Sequence, residues 1–169
     1  MIQMINKLKK NQKGFTLVEL IVVLVILAIL AAFTIPAMLG FVDDARGKAT
    51  VAEAREVYMA YQSAVTENGG TTETKFTADS GQIFDNATGV QAAALSKLSG
   101  DLVTAEVQNV ANKAGTKYTI NSGVNWRVDI LENKVSKVYY KHGDFLITID
   151  YSATNSSPII EKNKEIPTT

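Results

Sequence analysis

The sequence contains no cysteine, which excludes a disulfide framework and any thiolate metal site. Whatever fold it adopts must be held by packing and hydrogen bonds. A single histidine, His142, leaves little material for a metal centre or for acid–base catalysis. Glycine-rich phosphate loops, a nucleophile elbow and a metal-binding helix motif are all missing, so an enzyme reading has no residues to rest on. Net charge is missing too, because 17 basic and 17 acidic side chains cancel. The total therefore says nothing about nucleic acid or acidic partners.

The distribution of charge is informative. Lys7, Lys9, Lys10 and Lys13 precede Gly14 with no acidic residue among them. Without residues 1–14 the balance becomes 13 basic against 17 acidic, a net of −4. A basic patch is thus attached to a mildly acidic body. From Leu20 to Val42 there are 23 residues without a charged side chain. As a helix this stretch covers roughly 35 Å, enough to cross a hydrocarbon core of about 30 Å. A cleaved secretory signal has a shorter apolar region, about 7–15 residues, ending at a small-residue site. Here the run is longer and passes without a turn signal into more helix, which favours a retained span. The lysines before it place the N-terminus in the cytoplasm and the bulk of the chain outside.

Glu19 interrupts the apolar character four residues after Phe15. A carboxylate at the edge of hydrocarbon is costly and faces water or a partner. The stretch Lys13-Gly14-Phe15-Thr16-Leu17-Val18-Glu19 resembles the processing motif of type IV prepilins and the related type II secretion pseudopilins. The likeness is close over about residues 7–40 and is one of general layout beyond. It implies cleavage between Gly14 and Phe15 by a membrane prepilin peptidase, methylation of Phe15, and a pilin fold. It also implies assembly into a helical homo-oligomeric filament by the pilus machinery, with storage in the cell membrane first and an extracellular pilus afterwards. Host or surface receptors are further partners of such filaments. Cleavage creates an α-amino group on Phe15 in nearly the same membrane layer as Glu19. A neighbouring subunit's amine can then meet this carboxylate and select one axial stagger, which makes Phe15 and Glu19 assembly residues.

Beyond the span, Val51, Ala54, Tyr58, Tyr61 and Val65 recur at steps of three and four, so the helix continues with one apolar face. Asn68-Gly69-Gly70 is a stop signal. Pro36 and Gly40 lie in the apolar half; proline cannot donate to the Ala32 carbonyl and crowds it, so a kink or local melt is expected there. The resemblance points the same way, since pilin helices bend or unwind near this proline in filaments. The small residues Ala28, Ala31, Ala32 and Ala37 permit close helix approach.

The expected class is α+β: a long N-terminal helix, its second half packed on an antiparallel sheet of about four strands. Residues 1–14 are a leader, 15–42 the membrane and assembly helix, and 43–169 the head. Within the head the helix reaches about residue 68, and a variable loop region spans 69–115. That region holds a short helix over Gly89–Leu98 and an amphipathic, helix-like stretch over Leu102–Ala111. A meander follows over 116–151. Its strands begin at Tyr118-Thr119-Ile120, at Trp126, Val128 and Ile130, at Val135, Val138 and Tyr140, and at Phe145, Ile147, Ile149 and Tyr151. Arg127, Asp129 and Leu131 alternate outward, and Glu132-Asn133 and Lys141-His142-Gly143-Asp144 form turns. Residues 152–169 are either a loose tail or a final edge segment.

Asp79, Asp85 and Asp101 lack the spacing of a calcium loop, so no metal and no cofactor are expected. Asn86-Ala87-Thr88 and Asn155-Ser156-Ser157 match a short glycosylation sequon that also arises by chance. Lys134, Lys137 and Lys141 are accompanied by few aromatics besides Tyr139 and Tyr140, so no nucleic-acid partner is expected. Three functions stay open: a filament subunit, read as a major pilin; a pseudopilin of a secretion or competence machine; and a monomeric membrane-anchored binding domain.

The leader reading has a direct test. The mature protein should begin at Phe15 and hold 155 residues, the 169 of the chain less the 14 of the leader. Gly14→Leu should leave the precursor uncut in membranes. Mass spectrometry that finds any other N-terminus would remove this reading.

Overall fold

The computed structural model of the protein describes residues 14–168 except 86, 111, 112 and 155, with side chains described outside 107–115. Residues 1–13 of the expected leader 1–14 and the sequon asparagines Asn86 and Asn155 lie outside the described residues. The chain divides into two compact units, the first ending at Asp44 and the second running Ala45–Thr169. Helix α1 (Leu17–Glu67) contributes to both, and Pro36 lies inside it; the helix continues through Pro36 and Gly40.

In the first unit the apolar side chains of α1 are exposed all round, from Leu17 to Val42. The helix holds an 18-residue window of mean hydropathy 3.0, none of it buried. A core helix of a soluble domain with that composition would be covered by its own chain. An apolar surface on every side calls for lipid or other helices. Near Pro36, the Thr34 hydroxyl donates to the Leu30 carbonyl at 3.1 Å. Such back-bonding takes up a carbonyl close to the turn that proline leaves short of a donor.

In the second unit the same helix becomes one-sided. Thr50, Ala54, Val57, Ala60, Tyr61, Ala64 and Val65 are buried. Of these, Ala54, Val57, Tyr61, Ala64 and Val65 pack in one hydrophobic core with the inner face of an antiparallel sheet of order β1-β5-β6-β7-β8. Its strands are β1 (Lys75–Ala78), β5 (Val124–Leu131), β6 (Lys134–His142), β7 (Phe145–Asp150) and β8 (Ile159–Lys162). Register aligns the inward residues in two rows. Ala78, Trp126, Tyr140 and Ile147 make one, and Phe76, Val128, Val138 and Ile149 the other. This is the helix-on-sheet α+β arrangement expected, and it is pilin-like.

Details depart from the expected meander. Tyr118-Thr119-Ile120 lies in β4 (Lys113–Ile120), which pairs with β2 (Ile83–Asp85) and β3 (Val103–Val110) in a separate three-stranded sheet. Residues 69–115 are therefore not mainly loop: β1, β2, a helix α2 (Gly89–Leu95) and β3 fall inside them. The helix-like stretch over Leu102–Ala111 is strand over its described part. Val103, Ala105 and Val107 alternate at period two, and pairing along the whole of β4 outweighs a weak helical pattern. The C-terminal residues supply β8, an edge strand on β7.

Arg127 also departs from expectation. It sits on the outer face of β5 yet is only 4% exposed. Beyond β8, Asn163 N–H donates to the Asp144 carbonyl at 2.8 Å, Lys141 pairs with Glu165, and Arg127 donates to the Pro167 carbonyl. The final residues thus form a strap across the outer face of β6 and β5. Under it the guanidinium lies 4.2 Å from the Tyr139 ring centroid. Its Nη2 donates to Asp129 Oδ2 at 3.2 Å, while Nε, 3.0 Å from Oδ1, is an ion-pair contact without hydrogen-bond alignment.

Two glycines close α1. Gly69 N–H donates to Thr66 and Gly70 N–H to Val65, the paired bonds of a Schellman cap, with φ of +70° and +109°. Glu132 and Asn133 both take positive φ, 51° and 60°, and form a tight hairpin turn between β5 and β6. Asn133 Oδ1 accepts from Thr71 N–H at 2.9 Å, locking that turn to the end of the helix. A Cβ on Gly70 would lie 2.8 Å from the Asn133 side chain, whereas one on Gly69 would meet nothing. Gly70→Ala should therefore destabilise the protein more than Gly69→Ala, which carries only a backbone penalty of about 1–2 kcal/mol. Denaturant midpoints in detergent check this, and equal losses would show that Asn133 yields freely.

Candidate functional site

The candidate site is the start of the apolar helix. Gly14, Phe15 and Thr16 precede its first turn, and Phe15 is 83% exposed. A Cβ on Gly14 would find open space, as would one on Gly40. Local packing therefore requires glycine at neither position.

Thr16 and Glu19 form a reciprocal cap. Thr16 N–H donates to Glu19 Oε2 at 2.8 Å, and the Thr16 hydroxyl donates to the same oxygen at 2.7 Å. In return Glu19 N–H donates to Thr16 Oγ1 at 3.2 Å, and Leu20 N–H reaches the Thr16 carbonyl at 3.3 Å. This is a capping box, with Thr16 as the N-cap and Glu19 three residues on. It satisfies backbone donors that a helix start leaves open and places a negative charge at the positive end of the helix. The cap uses only Oε2, and no partner of Oε1 is seen among the described residues. One carboxylate can thus close its own helix and still offer an oxygen to an incoming cation.

The sequence picks out Gly14, Phe15 and Glu19, and the structure brings them to one end of one helix. Thr16 is not among the residues that the sequence singles out for function. Its signal was present, because Thr16-Leu17-Val18-Glu19 has the Thr-x-x-Glu spacing of a capping box. Pro36 and Gly40 lie farther along α1 and have no contact with this end.

In the second unit His142 is the last residue of β6 rather than part of the turn, and it is exposed. Its Nδ1 lies 2.8 Å from Glu53 Oε2, which also accepts from the Tyr140 hydroxyl at 2.9 Å. Burial, followed by the nearby Glu53 charge, pushes the Tyr140 hydroxyl above its usual range and keeps it a donor. The contact ties α1 to β6 and carries no catalytic geometry. Asp79, Asp85 and Asp101 fall at separate places. Among the described residues no group of three His, Cys, Asp or Glu side chains comes together to hold a metal.

Residues 9–35 match the family model of the prokaryotic N-terminal methylation motif. The matched segment holds Gly14, Phe15, Thr16 and Glu19, and it covers 27 of the 169 residues, all before the second unit. The N-terminal segment carries a type IV prepilin-like signal, and this supports a type IV pilin-like or pseudopilin protein. No curated protein and no solved structure matches the chain.

The cap generates its own test. Thr16→Val removes the hydroxyl at little change in size, so the first turn should fray and the amides of Val18 to Leu20 should exchange with solvent several-fold faster in detergent micelles. Thr16→Ser should restore protection. Unchanged exchange in Thr16→Val would show that the cap adds nothing to the helix start.

Proposed function

We propose that this chain is the precursor of a type IV pilus subunit, a major pilin. It is stored in the membrane with its N-terminus cytoplasmic and polymerised into a surface filament for adhesion, aggregation or twitching motility. The supporting observation is a single one: a helix whose apolar first half is exposed begins in a methylation motif, with a carboxylate at its head whose second oxygen has no partner among the described residues. In this reading residues 1–14 are the leader, 15–42 the membrane and assembly helix, and 43–169 the head. The peptidase cuts after Gly14, which explains a glycine that local packing does not demand. Phe15 is then methylated on its new amine.

Assembly takes subunits from lipid to a bundle of their own helices, since both environments cover an apolar surface on every side. Within that bundle the Phe15 amine of one subunit meets Glu19 of its neighbour. The cap on Oε2 survives, because Thr16 keeps its N–H and hydroxyl after cleavage, and Oε1 takes the amine. A low-dielectric layer makes that pairing strong and makes a mismatched stagger costly. Pro36 and Gly40 supply the place where the helix bends or unwinds on packing, with a carbonyl already short of a donor. The role is structural, and no catalytic step is assigned.

Two other readings predict different outcomes. A pseudopilin would be scarce in sheared surface filaments, and a monomeric anchored binding domain would not be processed. The decisive comparison uses Glu19→Ala. Membrane residence should persist, because the segment becomes more apolar, and cleavage after Gly14 should continue. Sheared filament should nevertheless fall sharply against the pool of processed protein in membranes. Normal filament yield from fully processed Glu19→Ala subunits would sink the assembly role.

A further inference from the structure

Two half-buried rings of the second unit meet in an uncommon geometry. Tyr58 on α1 and Tyr151, the residue after β7, are stacked with ring centroids 3.8 Å apart and planes 18° from parallel. Aromatic pairs ordinarily prefer an offset or edge-to-face arrangement, with centroids roughly 4.5–7 Å apart, because like ring faces repel. Carbon atoms in contact are about 3.5–4.0 Å apart, so a separation of 3.8 Å leaves little lateral offset. The fold imposes this overlap. Tyr151 N–H donates to the Ser136 carbonyl at 2.7 Å, and Gln62, one turn after Tyr58, accepts from Val135 N–H at 2.8 Å. The chain behind each ring is therefore tied to β6.

This pair is also the reachable one. The chain has six tyrosines and one tryptophan. Tyr61, Tyr118, Tyr140 and Trp126 are buried, and Tyr139 lies under the strap against Arg127. Tyr58 and Tyr151 are half-buried and line an open cleft of about 460 Å³. Burial first and the adjacent Tyr58 second push the Tyr151 hydroxyl above its usual range, so this ring meets an oxidant as a neutral phenol. Loss of one electron and one proton turns a phenol into a phenoxyl radical, whose unpaired electron resides partly on the ring carbons ortho to the oxygen. Its lobes stand perpendicular to the ring plane. Stacked rings therefore aim them at each other.

We propose that Tyr58 and Tyr151 are a modification site, at which a one-electron oxidant joins the two rings into a dityrosine bridge between α1 and the end of β7. Each phenol gives one electron to the oxidant and one proton to water. The two radicals then form a carbon–carbon bond between ortho positions. Each bonded carbon releases its hydrogen as a proton while its phenol oxygen takes one back, so the pair loses two electrons and two protons in all. Hydrogen peroxide, used by a haem peroxidase in one-electron steps, balances the reaction: one peroxide accepts both electrons and both protons and becomes two waters. In a chain without cysteine, the bridge supplies the covalent tie that a disulfide supplies elsewhere. Both rings belong to the second unit, so the proposal is independent of the assembly reading.

The test exposes the full-length protein, in detergent micelles, to a haem peroxidase with limiting hydrogen peroxide. Intact mass should fall by two hydrogen atoms, and protease digestion should release one peptide pair joined through Tyr58 and Tyr151. The yield should not depend on protein concentration, because the bond forms within one chain. Tyr58→Phe and Tyr151→Phe keep the rings and should each abolish the link, whereas Tyr139→Phe should leave it at the unsubstituted yield. The linked protein should unfold at a urea midpoint about 1 M or more higher, since a cross-link between distant residues restricts the unfolded chain. Recovery of unlinked rings alone, of links through other tyrosines, or of links between chains would overturn the proposal. So would an unchanged midpoint in the linked protein.

Discussion

Helix α1 meets the five-stranded sheet along a row of small and large side chains, and the second unit is organised by that contact. Ala54 and Ala64 let the helix come close, while Val57, Tyr61 and Val65 fill the space over the inner rows of the sheet. Fully burying one Val, Leu or Ile side chain contributes about 1.5–3 kcal/mol. Without a disulfide, gains of this size must together exceed the entropy of ordering the chain. Tyr61 and Trp126 show how tightly the contact is specified: each is buried with a polar atom, and each donates, Trp126 Nε1–H to the Tyr61 oxygen and the Tyr61 hydroxyl to Gln91 Oε1. The remaining ties are directional. Gln62 Oε1 accepts from Val135 N–H at 2.8 Å and Glu53 binds Tyr140 and His142, so β6 has one register against the helix.

The same helix obeys another rule before Asp44. There no side of it is covered by its own chain, and the uncharged composition of Leu20–Val42 leaves lipid or neighbouring helices as the medium. Glu19, just before that stretch, is engaged by the Thr16 cap. This lowers the cost of holding a carboxylate beside an apolar stretch, because two donors already solvate one of its oxygens.

The outer face of the sheet shows what the last residues do. A strap of this kind changes an alternating surface into a second, polar interior, where Arg127 is held by a carbonyl, a carboxylate and an aromatic face. A buried cation is tolerated only when so engaged. Truncation before Asn163 would uncover it.

Much of the molecule could be read along the chain. The uncharged stretch and the methylation motif over residues 9–35 are local signals, set by neighbours a few residues away. The periodicity of Val51 to Val65, the Gly69-Gly70 stop and the Glu132-Asn133 turn are local for the same reason, and so were the strands from Val124 to Asp150. Thr16 was equally local, but its hydroxyl mattered only once the Glu19 side chain was seen folding back on it. What the tertiary structure alone decided was non-local pairing. Short apolar stretches such as Tyr118-Thr119-Ile120 suit any sheet edge, and pairing with β2 and β3 chose the second sheet. Residues 75–78 became a strand because β5 offered an open edge, and Arg127 became buried because residues 163–167 crossed over it. Strand pairing and burial are decided by distance in space between residues far apart in sequence, and periodicity carries no record of that distance.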